Sequence, residues 1–186
     1  MSILSDNKRI LYFDLETQKL AADVGGWGHV RDMKLALGIV FDSQSGKFLY
    51  FEEAQVLDLV AEFQKADLIV GFNVKRFDYE VLRGYTDFDF LQISTFDILE
   101  MVHQQLGFRL SLDHLSECTL KKGKGGDGLK AVQWFREGRM DLIKTYCEQD
   151  VLLTKELFEF GVKNEYLLFK DKKIQQLVRL PFRFEL

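Results

Sequence analysis

The segment Phe13–Thr17, with the sequence FDLET, constrains this chain more than any other feature. It closes an apolar run that begins at Ile10 and is typical of a β-strand. Side chains alternate along a strand, so Asp14 and Glu16 point to one face, roughly 6.5 Å apart along the backbone. Two acids on one face of a covered strand would repel each other unless a hard cation such as Mg²⁺ or Mn²⁺ binds between them. If the strand ends at Leu15, both acids are solvated and no metal is implied.

Composition limits the class of protein. The chain has 186 residues, 47% of them hydrophobic, with 17 Phe, which fits one compact domain with a large core. The net charge of −4 argues against a DNA-wrapping protein but allows an enzyme that binds a short strand locally. Cys118 and Cys147 have no CxxC spacing, and no apolar run could span a membrane. We therefore expect a cytoplasmic protein in a reduced state, without a membrane partner.

The predicted elements follow the order β-β-β-α-β-α-β-α, with three further helices and a final hairpin. Strands are predicted at 10–17, 34–42, 47–51, 68–71 and 94–97. Helices are predicted at 52–66, 76–85, 98–107, 111–120, 129–137 and 140–163, and the hairpin at 166–169 and 174–180. This order predicts an α/β fold: a mixed five-stranded sheet, with strands 1–3 antiparallel and then β-α-β units, flanked by helices. We expect a domain at 1–164 and a hairpin appendage of the same domain at 165–186.

A second group of polar residues follows the fourth strand, where residues 71–78 read GFNVKRFD. Asp78 lies in the first turn of the next predicted helix. Acids favour helix N-termini and Asn73 could simply form a turn, so a structural role is an open alternative for both.

A third group lies on the long helix, where residues four apart share a face. One stripe contains Ile143, Tyr146, Cys147, Asp150, Val151, Thr154, Leu157 and Phe158. An aspartate in the middle of a core-facing stripe needs a partner. That partner is either a shared metal ion or, alternatively, a buried cation such as Arg76 or Arg139.

In order and spacing, these three motifs resemble those of the DEDD 3′–5′ exonucleases. The nearest likeness is to the proofreading exonuclease of family B DNA polymerases and its free-standing relatives, over about residues 9–160. One branch of that family has histidine five residues before the final aspartate, where this chain has Thr145. The other branch has tyrosine four residues before it, as Tyr146 precedes Asp150 here. The resemblance implies a ribonuclease H-like fold and the tyrosine-branch mechanism.

The resemblance also implies a metal site. Asp14, Glu16 and Asp150 would hold two divalent ions, Mg²⁺ or Mn²⁺, with Asp78 helping directly or through a water. The ions would contact the attacking water and the leaving 3′ oxygen, and Tyr146 would orient that water.

Candidate substrate contacts are Asn73, Thr17, Phe77 and Lys124. Lysines of the Gly/Lys loop at 121–128 could bind phosphates, although a solvated loop is an equal alternative. The same loop matches the pattern GxGxxG. It follows a helical segment and not a strand, so it does not indicate a dinucleotide site.

These observations predict a metal-dependent 3′–5′ exonuclease acting on single-stranded nucleic-acid 3′ ends, with DNA favoured over RNA. One alternative is an exoribonuclease, although no residue indicates a 2′-hydroxyl contact. Another is a weakly active ribonuclease H-like binding module of a larger repair complex, which the intact acidic residues argue against. We expect no polymerase region on this chain, so a helicase, polymerase or repair partner would act in trans.

Overall fold

The main sheet is mixed and has five strands, which confirms the predicted fold class. The computed structural model describes residues 8–123, 128–171 and 173–184. The strands are β1 (Ile10–Thr17), β2 (Leu35–Asp42), β3 (Lys47–Phe51), β4 (Leu68–Gly71) and β5 (Thr95–Asp97). Their order in the sheet is β3-β2-β1-β4-β5. β1 pairs antiparallel with β2 and parallel with β4, so it occupies the centre.

Helices cover both faces of this sheet. They are α1 (Val56–Phe63), α2 (Asp78–Leu82), α3 (Ile98–Leu106), α4 (Leu112–Leu120), α5 (Gly128–Arg136) and α6 (Met140–Asn164). Buried residues of α1 and α2 form one core with the sheet, and those of α3, α4 and α6 form a second core on the other face. Among the helices that the structure describes, none combines the length and the apolar character needed to cross a membrane.

The alternation predicted for β1 decides which face receives the acids. Alternate residues of Leu11–Leu15 lie in the core with α1 and α2, whereas Ile10 and Tyr12 lie in the core with α6. Asp14 and Glu16 continue the second set, so they emerge on the α6 face at the end of the strand. The apolar part of β1 therefore fixes the strand in the sheet, and its polar end faces α6.

Helix α2 is shorter than the predicted helix at 76–85. The backbone amides of Asn73 and Lys75 donate to the carboxylate of Asp97, at 2.8 and 3.1 Å, which holds the preceding segment in a loop. Gly71 lets this loop turn tightly, because any side chain at that position would collide with the side chain of Val74.

Two other segments also differ from the sequence prediction. The helix expected at 52–66 begins with a separate 3-10 turn at Glu53–Gln55 before α1. The loop expected at 18–32 contains two 3-10 helices, Ala21–Val24 and Trp27–Asp32. Short 3-10 turns have little hydrophobic periodicity, so the sequence pattern does not reveal them.

The tail forms the predicted hairpin as a second sheet. Strands β6 (Tyr166–Lys170) and β7 (Leu177–Pro181) pair antiparallel, with β7 beginning later than predicted. Phe182, just after β7, packs edge-on against Phe158 of α6 at 5.9 Å between ring centroids. The hairpin is thus attached to the core that includes α6, and the domain division placed at its start stays a prediction.

Candidate active site

Three acidic side chains meet where β1 ends beneath α6. Asp14 and Glu16 come from β1 and Asp150 from α6, and their carboxylate oxygens lie within 4.8 Å of one another. Asp14 and Glu16 are half-buried and Asp150 is buried. The structure thus brings together the acids of the first and third sequence motifs.

The sheet topology explains this position. Because β1, β4 and β5 are parallel, their carboxyl ends meet at one edge of the sheet. A register shift between Glu16 and Thr17 ends the regular pairing of β1 with β2 at this edge. Such irregularities are common beside active sites, because they redirect side chains out of the sheet.

Asp78, from the second motif, lies beside this group and is buried. Its Oδ1 accepts a hydrogen bond from the backbone N–H of Leu15 at 3.1 Å, which links α2 to β1. Burial raises the pKa of Asp78 well above its ordinary value, and the charge of Asp14 raises it further. The fold therefore holds a carboxyl group at a place where its charged form is poorly solvated.

A thiol not assigned to the site from the sequence also contacts it. Cys147 is fully buried on α6, and its Sγ donates to the backbone oxygen and to Oδ2 of Asp14, each at 3.5 Å. Burial raises the pKa of this thiol, and the charges of Asp14, Glu16 and Asp150 raise it further. Cys147 thus stays protonated and acts as a donor towards Asp14.

Tyr146 lies one helical turn before Asp150 and is buried. The indole of Trp134, from α5, packs edge-on against its ring at 6.0 Å between centroids. This contact packs the ring of Tyr146 against α5, one turn of α6 before Asp150. The role of Tyr146 in orienting water stays a prediction.

Asn73 is held in a left-handed backbone conformation, with φ of 69°. Its N–H donates to Asp97, and its side-chain oxygen accepts a hydrogen bond from Arg109. Asp97 is buried and also caps α3 by accepting from the N–H groups of Leu99 and Glu100. A helix N-cap could have been recognised in the sequence, but its second contact with the Asn73 loop requires β4 and β5 to be paired.

The other predicted substrate contacts differ in position. Thr17 is buried, and its hydroxyl donates to the carbonyl of Lys19 at 2.9 Å, so it stabilises the turn after β1. Phe77 is half-buried, and the ring of Trp27 packs edge-on against it at 6.3 Å. Lys124 lies outside the described residues. The roles of all three in binding substrate stay predictions.

The alternative proposed for Asp150 was an ion pair with Arg76 or Arg139. Arg139 instead pairs with Asp141 at 3.2 Å. Arg76 lines a cavity with Trp27. Asp150 itself lies in the acidic group.

The donor set fits a hard divalent cation. Carboxylate oxygens are the ligands that Mg²⁺ and Mn²⁺ prefer, and three carboxylates this close are stabilised by a cation between them. Asp14, Glu16 and Asp150 could therefore hold such an ion. The pKa of neighbouring Asp78 is raised mainly by burial, and the further contribution from the charge of Asp14 agrees with this interpretation.

Comparison with known proteins agrees with the fold. Among solved structures, a family B DNA polymerase from the hyperthermophilic archaeon Pyrobaculum calidifontis is similar, with a TM-score of 0.63 and 17% sequence identity. The similarity covers 83% of this chain but 24% of the polymerase chain, and at this identity it shows the fold alone. No curated protein matches the sequence. The model of one family, described as the RNase_H superfamily, matches residues 11–160, which include all three motifs. The chain therefore belongs to the RNase_H superfamily.

Proposed function

We propose that this protein is a metal-dependent 3′–5′ exonuclease that hydrolyses phosphodiester bonds at single-stranded nucleic-acid ends, with DNA favoured over RNA. The observation that carries the proposal is the convergence of Asp14, Glu16 and Asp150 within 4.8 Å. Membership of the RNase_H superfamily supports a nuclease, because that superfamily generally comprises nucleases. The choice of 3′–5′ polarity follows the resemblance of the three motifs to the DEDD exonucleases.

The protein's own groups have distinct tasks in this proposal. Asp14, Glu16 and Asp150 would bind two divalent ions, and Asp78 would add negative charge from its buried position. When bound, such ions lower the pKa of an attacking water and stabilise the charge on a leaving oxygen. Asp78 also ties α2 to β1 through the N–H of Leu15, which keeps the second motif in register with the first.

Tyr146 would position the attacking water through its hydroxyl. Replacing Tyr146 by Phe keeps the ring packed against Trp134 and removes only that hydroxyl. We expect turnover to fall about tenfold to a hundredfold with little change in the metal concentration required. Single-turnover rates across a Mn²⁺ titration would test this, and an unchanged rate would return Tyr146 to a packing role.

The decisive experiment is digestion of strands carrying one label at the 3′ or 5′ end. Single-stranded DNA, single-stranded RNA and blunt duplex DNA would be incubated with Mn²⁺, with Mg²⁺ and with EDTA. We expect loss of the 3′ label first, faster cleavage of single strands than of duplex, and no cleavage in EDTA. An acidic chain offers little charge to hold a duplex, and a 3′ end must separate before it enters the site.

The outcomes separate the proposal from its alternatives. Full activity in EDTA would exclude the metal mechanism, and early loss of the 5′ label would exclude the polarity. Faster digestion of RNA would assign the protein as an exoribonuclease. Strand binding without hydrolysis, in both wild type and Asp150→Asn, would identify a nucleic-acid-binding module.

A further inference from the structure

A cavity lies beside the segment that carries the second sequence motif. Its volume is about 380 Å³, and it is lined by Trp27, Val30, Asn73, Arg76, Phe77 and Arg109. Phe77 directly precedes Asp78, whose carboxylate binds the N–H of Leu15 between Asp14 and Glu16. A molecule in this cavity would therefore adjoin the end of β1.

One wall of the cavity is an exposed aromatic ring. Trp27 is 74% exposed, which is unusual for so large an apolar side chain. Its indole is supported edge-on by the half-buried ring of Phe77. Exposed aromatic rings held in place in this way form stacking platforms for nucleobases.

The cavity also contains two arginines whose charge is available. Arg76 and Arg109 are both exposed. Within residues 8–123, 128–171 and 173–184, neither forms an ion pair with a carboxylate. Other arginines do so, namely Arg9, Arg31, Arg83, Arg136 and Arg139.

The orientation of Arg109 is fixed by its hydrogen bond to the side-chain oxygen of Asn73. Asn73 is in turn fixed by Asp97, which binds its backbone N–H. A positioned guanidinium binds phosphate oxygens well, because its N–H groups form a planar fork. In a chain of net charge −4, a local pair of cations beside an acidic group points to an anionic ligand.

We infer that this cavity binds one nucleotide of a nucleic-acid strand, with the base stacked on Trp27 and an adjoining phosphate held by Arg76 and Arg109. The volume is in the range of sites for small ligands. The inference rests on the proposed nuclease function, because the acidic group beside the cavity is where the strand would be cleaved. It adds three residues to the substrate contacts expected from the sequence motifs.

The test is equilibrium binding in EDTA, where the strand is not hydrolysed. Fluorescence anisotropy would compare oligothymidylate with an abasic strand of the same length. We expect Trp27→Ala to weaken binding of oligothymidylate about tenfold and to leave binding of the abasic strand unchanged. Trp27→Phe, which keeps an aromatic face, should retain most of the affinity.

The arginines should behave differently, because they contact the backbone. The double variant Arg76→Ala, Arg109→Ala should weaken both strands about tenfold and reduce the dependence of binding on salt. Arg179→Ala is the matched control, since this arginine lies on β7 over the ring of Tyr166. It should bind both strands as wild type does.

Each result supports or overturns the inference. If Trp27→Ala affects both strands equally, or neither, Trp27 does not stack on a base. Thymidine monophosphate should compete only at far higher concentration than the strand, and equal competition would overturn the assignment to a strand. Matching melting temperatures of Trp27→Ala and wild type would show that the variant is folded. Trp27→Phe keeps an aromatic ring packed at this position, so a loss of affinity in this variant would argue against stacking on a base.

This experiment is independent of the hydrolysis assay. A protein that cleaves strands but shows no base-dependent loss in Trp27→Ala would keep its proposed function and lose this nucleotide site. A protein that shows the base-dependent loss but never cleaves would keep the site and lose the proposed function.

Discussion

Carboxylates cluster at both ends of β1, but the two clusters differ in their neighbouring charges and in the direction of their pKa shifts. At the start of the strand, the guanidinium of Arg9 binds Asp42 at 3.0 Å and Glu62 at 2.7 Å. Burial is the largest influence on the pKa of Asp42 and raises it, but the hydrogen bond and charge of Arg9, together with backbone hydrogen bonds from Gln44 and Ser45, outweigh it and the pKa is lowered. At the far end, burial and the charge of Asp14 raise the pKa of Asp78 well above its ordinary value.

This difference separates acids whose ionisation stabilises the fold from an acid whose ionisation destabilises it. The first cluster contains its own cation, so it gains stability from each ionised carboxylate. The second cluster keeps a carboxylate, Asp78, in surroundings that disfavour its charge. An external cation would complete such an arrangement, and this is the physical argument for the proposed metal site.

The largest expected effect is on hydrolysis. Asp150→Asn should reduce the rate at least about a thousandfold, or ~4 kcal/mol of transition-state stabilisation, because a metal ligand is lost. Asp42→Asn, at the other end of β1, should leave the rate within about twofold below its melting temperature. The measurement is release of 3′ label in Mn²⁺. Equal losses in both variants would mean that the two clusters do not differ in function.

A second effect concerns stability with and without metal. A divalent ion at a hundredfold excess over its dissociation constant should stabilise the folded protein by about 2.7 kcal/mol. For this chain length the melting temperature should rise by roughly 5–10 °C.

Two variants sharpen this measurement. Asp14→Asn should melt higher than wild type in EDTA, because like charges are removed, and should respond less to Mn²⁺. Asp42→Asn should lose about 1.5–3 kcal/mol, because Arg9 loses a charged partner, and should keep the full response to Mn²⁺. Identical melting curves for wild type and Asp14→Asn in both conditions would exclude a shared metal site.

A third effect is on how the free energy of unfolding of the metal-free protein depends on pH. The folded state holds the proton of Asp78 more tightly than the unfolded state does, so the free energy of unfolding should fall as pH rises above the ordinary carboxyl range. The pKa of Asp42 is lowered in the folded protein, so ionised Asp42 stabilises the fold above the ordinary carboxyl range. This stabilisation is lost as pH falls through the pKa that Asp42 has in the folded protein.

Urea denaturation in EDTA from about pH 3 to pH 8 measures both slopes. Asp78→Asn should reduce the fall at higher pH, to which buried Asp97 also contributes, and Asp42→Asn should reduce the loss at acid pH, to which Glu62 also contributes. If Asp78→Asn leaves the slope above the carboxyl range unchanged, the charge of Asp78 is not destabilising and the contrast between the two clusters fails.

The smallest expected effect is on the metal concentration that activity requires, and it comes from Cys147, whose thiol donates a hydrogen bond to Asp14. Cys147→Ser keeps a donor of similar size, so the Mn²⁺ concentration for half-maximal activity should change less than about twofold. Cys147→Ala removes the donor and should raise that concentration about threefold to tenfold, as loss of an outer contact to a metal ligand does. Cys118→Ala, on α4, is the control. Equal behaviour of the Ser and Ala variants would show that Cys147 only fills space.

Local pattern was sufficient to predict β1 and the stripe of α6. Alternation along Ile10–Thr17 and helical spacing from Ile143 to Phe158 gave the buried faces that the structure contains. The pairing of these faces, and so the meeting of Asp14 with Asp150, came from the resemblance of the motifs and not from periodicity.

The contacts that were missed are those between loops. Arg109 reaches Asn73 across 36 residues of sequence, and Asp97 reaches the N–H of Asn73 across 24. Each residue is unremarkable in its own segment, because a guanidinium on a loop and an aspartate before a helix are common on any surface. Their contacts depend on how closely the loops that follow β4 and α3 approach each other once β4 and β5 have paired, which local sequence pattern does not specify.

The distance in sequence between the two halves of the acidic group affects how the protein behaves during its own synthesis. Cys147 contacts Asp14 across 133 residues, so α6 leaves the ribosome long after β1. Until α6 docks, a nascent chain presents Asp14 and Glu16 without Asp150. Under the proposed function, such a chain is inert, and hydrolysis begins only after α6 has docked.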